Sequence, residues 1–292
     1  MITDHQDGIN DLWLTYVSQC NTAQTKCGIP VLPGLEVTAL EADSGADALG
    51  YALSETNSNL PVNKSMTPQA LLTAINDHNP STSYPIIAHP YGEPDWDTWT
   101  ATGFRGIELF SAEVETPNPS TVSQWFSLLR SGLADTMNNG RFVVAMGNSD
   151  AHNLWGPGDN GMTWAYIPNY SSSNRTAVWD AIRAGRLSAT GTGNLGCFSL
   201  NNLSQGSIVN TTPGSSLTFK LVQQPETGDT CTQIVIYDQY QTAIQSFANP
   251  STETTWTTPA PPLDGFYIAK FVFDNLGIQY EVWANPIFVN VP

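Results

Sequence analysis

Four histidines occur in the 292 residues, and three of them share one kind of setting. His5 follows Asp4 in ITDH, His89 follows the apolar run YPIIA and precedes Pro90, and His152 follows Asp150 in GNSDAH. Each stands where a strand is expected to end. Glu36 closes the stretch VLPGLE, inside a run that otherwise gives no reason for an acid. A lone carboxylate buried there would cost several kcal/mol, roughly, unless a cation paired with it. Asp4, His5, Glu36, His89, Asp150 and His152 therefore read as a metal cluster of imidazole and carboxylate ligands, suited to Zn, Mn or Fe rather than to a thiolate site. Each has an ordinary alternative, because a strand-end histidine can simply bond a carbonyl and a strand acid can face water. The argument is their combination in a chain poor in histidine. His78, in NDHNP at a helix end, suits a structural role beside the helix carboxyl terminus. Glu108 in GIELF is a strand acid that either supports a ligand or faces outward, and it is not assigned as one.

The elements that must hold these residues follow from pattern. IPVLPGLEVT (29–38), YPIIAHP (84–90), FRGIELF (104–110) and RFVVAMG (141–147) are apolar nearly throughout, as strands covered on both faces are. Thr67 and Pro68 start a helix over QALLTAIND. Ser120 or Thr121 caps VSQWFSLLRSGLADTM, which Asn139 and Gly140 end, and NRTAVWDAIRAGR makes another helix closing near Gly185. Strand and helix in alternation predict an α/β layer or barrel with parallel strands, whose carboxyl ends are where sites are built. After about residue 197 short alternating strands with Gly, Pro, Asn and Asp turns predict a small antiparallel β-sandwich. The boundary falls in SATGTGNLGCF, giving domains 1–194 and 195–292. Gly191, Gly193 and Gly196 match G-x-G-x-x-G, but a helix precedes them and a strand follows, the reverse of dinucleotide-binding order, so the segment reads as a hinge.

Composition narrows the partners. Ten Lys and Arg against 26 Asp and Glu give a net charge of −16, which repels nucleic acid. No apolar run is long enough to span a membrane. Charged residues make up 12%, and that neutral-polar style, with an N-terminus lacking a basic and apolar leader, gives the expectation of a secreted or periplasmic protein whose signal is removed or was not included. Cys20, Cys27, Cys197 and Cys231 are even in number, and either disulfides or buried thiols account for them. Sequons at Asn63, Asn169, Asn174, Asn202 and Asn210 decide nothing in a chain this rich in Asn, Ser and Thr.

The ordered set ITDH, GLEVT, IIAHP and GNSDAH resembles the successive motifs of the PHP (polymerase and histidinol phosphatase) metal-dependent hydrolases, and most of all the branch with carbaryl-hydrolase-like enzymes; GRLSATGTG and WANPIFV are similar to features of that branch. The resemblance implies a distorted (β/α)7-type barrel holding one to three divalent ions, followed by an immunoglobulin-like β-sandwich, with Asp4, His5, Glu36, His89, Asp150 and His152 as metal ligands. Two departures stand out. The family opens with a His-x-His pair for which there is no room before ITDH, so the barrel is expected to lack its first strand unless the N-terminus is truncated. Where the family often carries a histidine about ten residues after the strand glutamate, SGADALGY offers Ala46.

The expected function is hydrolysis of a phosphoester, or of a carboxyl or carbamate ester, by metal-activated water, with Asp150 or His152 orienting that water or protonating the leaving group. The partner is then a small-molecule ester, and a homo-oligomer could cover the N-terminal sheet edge. A rival expectation is a catalytically weakened member of the fold acting as a binding or self-assembly module, through sandwich aromatics such as Trp256, Tyr240 and Tyr267.

Overall fold

The computed structural model describes the chain apart from residues 1, 6–12, 42–43, 58–61, 63–64, 81, 93–95, 112–115, 151–160, 169 and 172–173; side chains are described for the remainder except at 2–5, 40–41 and 44–45. The expected (β/α)7 barrel is not what it forms. Strands take up 40% and helices 22%, with three sheets and five short helices among the described residues. The decisive difference lies in SGADALGY. It forms strand β3 (Ser44–Tyr51), which returns antiparallel along β2 (Pro33–Glu41) as a hairpin. A parallel (β/α) unit needs a helix between those strands, and there is no chain left for one.

Two compact units divide the chain: Met1–Glu108 with Ile167–Asp180, and Leu109–Tyr166 with Ala181–Pro292. In the first, the sheet runs β1 (Ile2–His5), β2, β3, β4 (Tyr84–Ile87) and β5 (Gly106–Ser111), with β1 parallel to β2, β3 antiparallel to β2 and β4, and β4 parallel to β5. The strand β5 continues into the second unit, where β6 (Val144–Asn148) follows in the order. Helices α1 (Trp13–Cys27) and α2 (Pro68–His78) supply Trp13, Tyr16, Val17, Cys20, Leu71, Leu72 and Ile75 to one apolar core with Leu35, Val37, Ala39, Ala46 and Ala48 of the hairpin. Thr67 caps α2 as expected, its hydroxyl accepting from the Ala70 N–H at 3.2 Å, with Pro68 at the first helical position. The α1 helix has no counterpart among the elements read from sequence.

The second unit holds α3 (Pro119–Ser131), α4 (Leu133–Asn139) and the sandwich. Asn118, not Ser120 or Thr121, caps α3, accepting from the Ser120 N–H at 2.9 Å. Gly132 divides the helix expected to run unbroken to Asn139. One sandwich sheet has the order β10 (Leu203–Ser204), β9 (Leu195–Leu200), β12 (Ser216–Gln224), β15 (Glu253–Pro259). The other runs β11 (Ile208–Asn210), β18 (Ile287–Asn290), β16 (Gly265–Asn275), β17 (Ile278–Ala284), β8 (Leu187–Thr190), β7 (Met162–Ala165), with β13 (Thr230–Asp238) and β14 (Ala243–Ala248) joined through β16. Their facing side chains make a second core around Phe219, Phe271 and Phe273. Phe126 of α3 packs edge-on to Trp283 and Tyr237 and against Phe266, at centroid distances of 6.4, 6.3 and 6.0 Å. Asn285, fully buried, accepts from the Ala145 N–H and donates to its carbonyl, both at 2.8 Å, which ties β6 to the turn after β17.

The segment read as a hinge is a buried turn between β8 and β9. Thr190 and Asn194 have no exposed surface, and the Asn194 amide donates to Thr192 Oγ1 and Asp229 Oδ2 at 2.8 and 2.7 Å. Two of the three aromatics offered for surface recognition turn inward: Tyr267 is buried, and Trp256 sits 5.0 Å from the Phe219 ring, leaving Tyr240 exposed. All four cysteines are free thiols.

Candidate metal centre

The β2–β3 hairpin sorts its residues by alternation. Glu36 lies opposite Leu49 and Thr38 opposite Asp47. Directly opposed residues share a face, so Glu36 and Asp47 are diagonal neighbours on one side of the sheet. Leu35, Val37 and Ala39 face the other side with Ala48 and Ala46, inside the apolar core. Ala46, where the resemblance wants a histidine, is therefore a core contact. The ligand-type side chain is its neighbour Asp47, which the sequence reading did not select. The available signal was an acid between two alanines, each of whose side chains must point away from it once the segment is a strand.

His89 reaches the same place by breaking its own strand. Ile87 is aligned with Ala48 on the core side, so unbroken alternation would send residue 89 to the core as well. Instead its φ is +24°, a conformation that disfavours a bulky side chain and persists only where the surroundings fix it, at a cost of about 1–3 kcal/mol. The fixing contacts are local. The His89 N–H donates to Glu108 Oε2 at 2.7 Å, and its carbonyl accepts from the Gly92 N–H at 2.6 Å. A Cβ at position 92 would stand 3.1 Å from the His89 Cβ and 3.3 Å from its Nδ1, so the turn closes this tightly on a glycine. The imidazole then places Nε2 3.1 Å from Asp47 Oδ2 and 3.6 Å from Glu36 Oε1.

Of these separations, the shorter falls within the range for ligands sharing an ion and the longer lies slightly beyond it. Two donors each about 2.1 Å from a metal stand about 3.0 Å apart at a right angle and about 3.4 Å apart at the tetrahedral angle. One donor atom each from Glu36, Asp47 and His89 lies within 4.8 Å of the other two. Both acids are buried, at 8% and 6% exposure, and Glu108 behind them at 4%. Without a metal the cluster holds its histidine charged: burial opposes the charge, but hydrogen bonds to Asp47 and Glu36 and the field of Glu108 outweigh it and raise the imidazole to about 10. Three buried carboxylates, Glu36, Asp47 and Glu108, thus gather about this imidazole, an environment suited to a cation.

Of the six residues expected as ligands, Glu36 and His89 are brought together. Asp4 and His5 end β1 in parallel register with Leu35 and Glu36, which sets the backbone of His5 beside that of Glu36. Asp150 belongs to the second unit, two residues beyond β6 with φ +45°. His152 lies outside the described residues. His78 is structural, as expected, but as an acceptor: its Nδ1 takes the Ser54 N–H at 3.1 Å, and its ring meets Trp13 edge-on. Glu108 proves to be a support for a ligand.

Comparison with known proteins returned no matching family model and no matching curated protein. Among solved structures, a protein of Bifidobacterium adolescentis assigned as a metal-dependent phosphoesterase is a distant neighbour, 13% identical with a TM-score of 0.34, over 62% of this chain and 84% of that one. A chitin binding domain from Burkholderia pseudomallei aligns at 11% identity and TM-score 0.21, over 29% of this chain and 56% of its own length. A β-glucuronidase of Bacteroides uniformis aligns at 10% identity and TM-score 0.22, over 77% of this chain and 30% of that one. These similarities are too low to carry an argument, and the functional reading rests on the chain's own side chains.

Proposed function

We propose that the chain is a metal-dependent hydrolase acting on small phosphoester, carboxyl ester or carbamate substrates. The observation that carries the reading is the buried Glu36, Asp47 and His89 cluster, whose donor separations suit one divalent ion. Glu36, Asp47 and His89 would hold that ion, and the set leaves coordination positions for water and substrate. When bound, it would supply hydroxide at neutral pH and Lewis acidity toward a phosphoryl or carbonyl oxygen. Glu108 fixes the His89 backbone and, through it, the direction of Nε2. A net charge of −16 favours small or neutral esters over large polyanions.

The test is hydrolysis of p-nitrophenyl phosphate and p-nitrophenyl acetate by the full chain, chelated and then resupplied with Mn(II) or Zn(II). Metal-dependent turnover of at least one ester, lost in His89→Ala, is expected. Turnover that survives both chelation and His89→Ala would overturn the reading, as would none with either ion.

A further inference from the structure

The sandwich ends one of its sheets on a strand with little to protect it. Strand β14 pairs with β13 and, among the described residues, with no other strand. Ala243, Ile244, Ser246 and Ala248 along it are exposed. Asn249 donates its N–H to the Thr232 carbonyl at 2.8 Å. Bonding alternates along an antiparallel ladder, so Phe247 and Gln245 also bond toward β13, while the N–H and C=O of Ser246 and Ala248 point outward. Natural edges are blunted by lysine, proline or an inward-pointing charge. Here no residue between Asp238 and Glu253 is charged, and Pro250 lies beyond the strand. The register irregularity between Ile236 and Tyr237 disturbs the start of the edge and leaves residues 245–248 regular. We propose that this edge is the contact through which two copies of the chain pair, β14 against β14, in a weak reversible dimer about a two-fold axis. The inference is independent of the metal site.

The register follows from the outward groups. With Ser246 of one copy opposite Ala248 of the other, both outward residues of each strand exchange N–H and C=O bonds reciprocally, as a two-fold axis requires. Phe247 then meets its own counterpart at the non-hydrogen-bonded position, where side chains stand closest and an aromatic pair adds stabilisation. Centring the axis on Ala248 would instead set Pro250, which has no N–H, opposite Ser246, and centring it on Ser246 would bring Ile244 of the irregular stretch opposite Ala248. A second copy suits the edge better than a foreign peptide, because β14 is already held extended by β13. A flexible peptide would lose backbone entropy at each residue it fixed. Two copies of net charge −16 repel one another, and a segment without charge is where they approach at least cost. A pair of 6-residue strands buries well under the roughly 1,200 Å² of a stable interface, so the dimer is reversible.

The experiment is sedimentation velocity of the full chain from about 10 μM to about 1 mM, a range that spans weak interfaces, with amide hydrogen exchange on the same samples. A dimer that grows with concentration is expected, tightening as NaCl rises from about 0.05 M to about 0.5 M and screens the repulsion. Exchange at the Ser246 and Ala248 amides should slow as the dimer forms. Ser246→Pro removes an outward N–H without touching a backbone bond to β13, and is expected to weaken the dimer by about tenfold or more. Ala248→Lys, which places a charge on the edge, serves if Ser246→Pro fails to fold. A monomer at every concentration and salt, or a dimer as tight in the folded variant as in the wild type, overturns the inference. So does a chain that stays monomeric while an added peptide of residues 242–249 protects the Ser246 and Ala248 amides, which would give the edge to a foreign strand.

Discussion

The hairpin sheet of the first unit and the sandwich of the second use the same alternation for opposite ends. In the sandwich, inward positions are aromatic and aliphatic, and Phe219 alone meets the rings of Phe198, Trp256 and Tyr267. Among its buried polar groups, Asn285 exchanges two short bonds with the Ala145 backbone and Asn194 donates to Asp229. In the hairpin, one face packs like the sandwich while the other buries Glu36 and Asp47 beside His89. Buried polar groups that satisfy one another stabilise and specify a fold, whereas clustered acids detract from stability until a cation arrives. The comparison separates a region whose alternation serves packing from one whose alternation gathers ionisable side chains that could hold a metal ion.

The largest effect that sharpens this contrast is in the sandwich. Phe271 has no exposed surface and lies in its core, so Phe271→Ala should destabilise the protein by about 3–5 kcal/mol in denaturant melts, with no direct loss of metal donors. Next comes Glu108→Leu, which strips the acceptor from the His89 N–H without removing a ligand; metal affinity should drop by about 10–100-fold by calorimetry. If it were unchanged, Glu108 would not position the histidine.

The cluster also carries a pH dependence. In the metal-free protein the His89 pKa is raised from 6.5 to about 10. A group whose folded pKa lies above its unfolded value contributes stability that is complete below about 6.5 and declines as pH rises toward 10. Metal-free protein should therefore melt at lower denaturant at pH 9.5 than at pH 6, and His89→Ala should flatten that difference.

Much of this was legible in the sequence, and the failures have particular causes. Thr67 and Pro68 marked α2, the run YPIIA marked β4, and the alternating stretches after residue 197 marked the sandwich strands, because caps and period-two patterns are local. Glu36 and His89 stood out as polar groups against apolar runs. Asp47 did not, because SGADALGY is too small and glycine-rich to announce a strand, and only pairing with β2 gives its alternation meaning. The barrel expectation failed at the same place: four apolar runs imply covered strands but not their directions, which the hairpin sets. The hinge reading failed because Gly191, Gly193 and Gly196 signal turns in general, while the burial of Asn194 depends on Asp229, 35 residues away. The left-handed turn at His89 gave no local sign either, since a histidine before proline more often marks an extended backbone.

The central claim is that Glu36, Asp47 and His89 jointly hold a divalent ion. Its most direct test is elemental analysis of the full chain after loading with Mn(II) or Zn(II) and desalting, beside a Glu36→Gln, Asp47→Asn double variant shown to be folded. The account predicts at least one ion per wild-type chain, and at least one fewer in the double variant. Equal metal content in the two proteins, or none in the wild type, would contradict it.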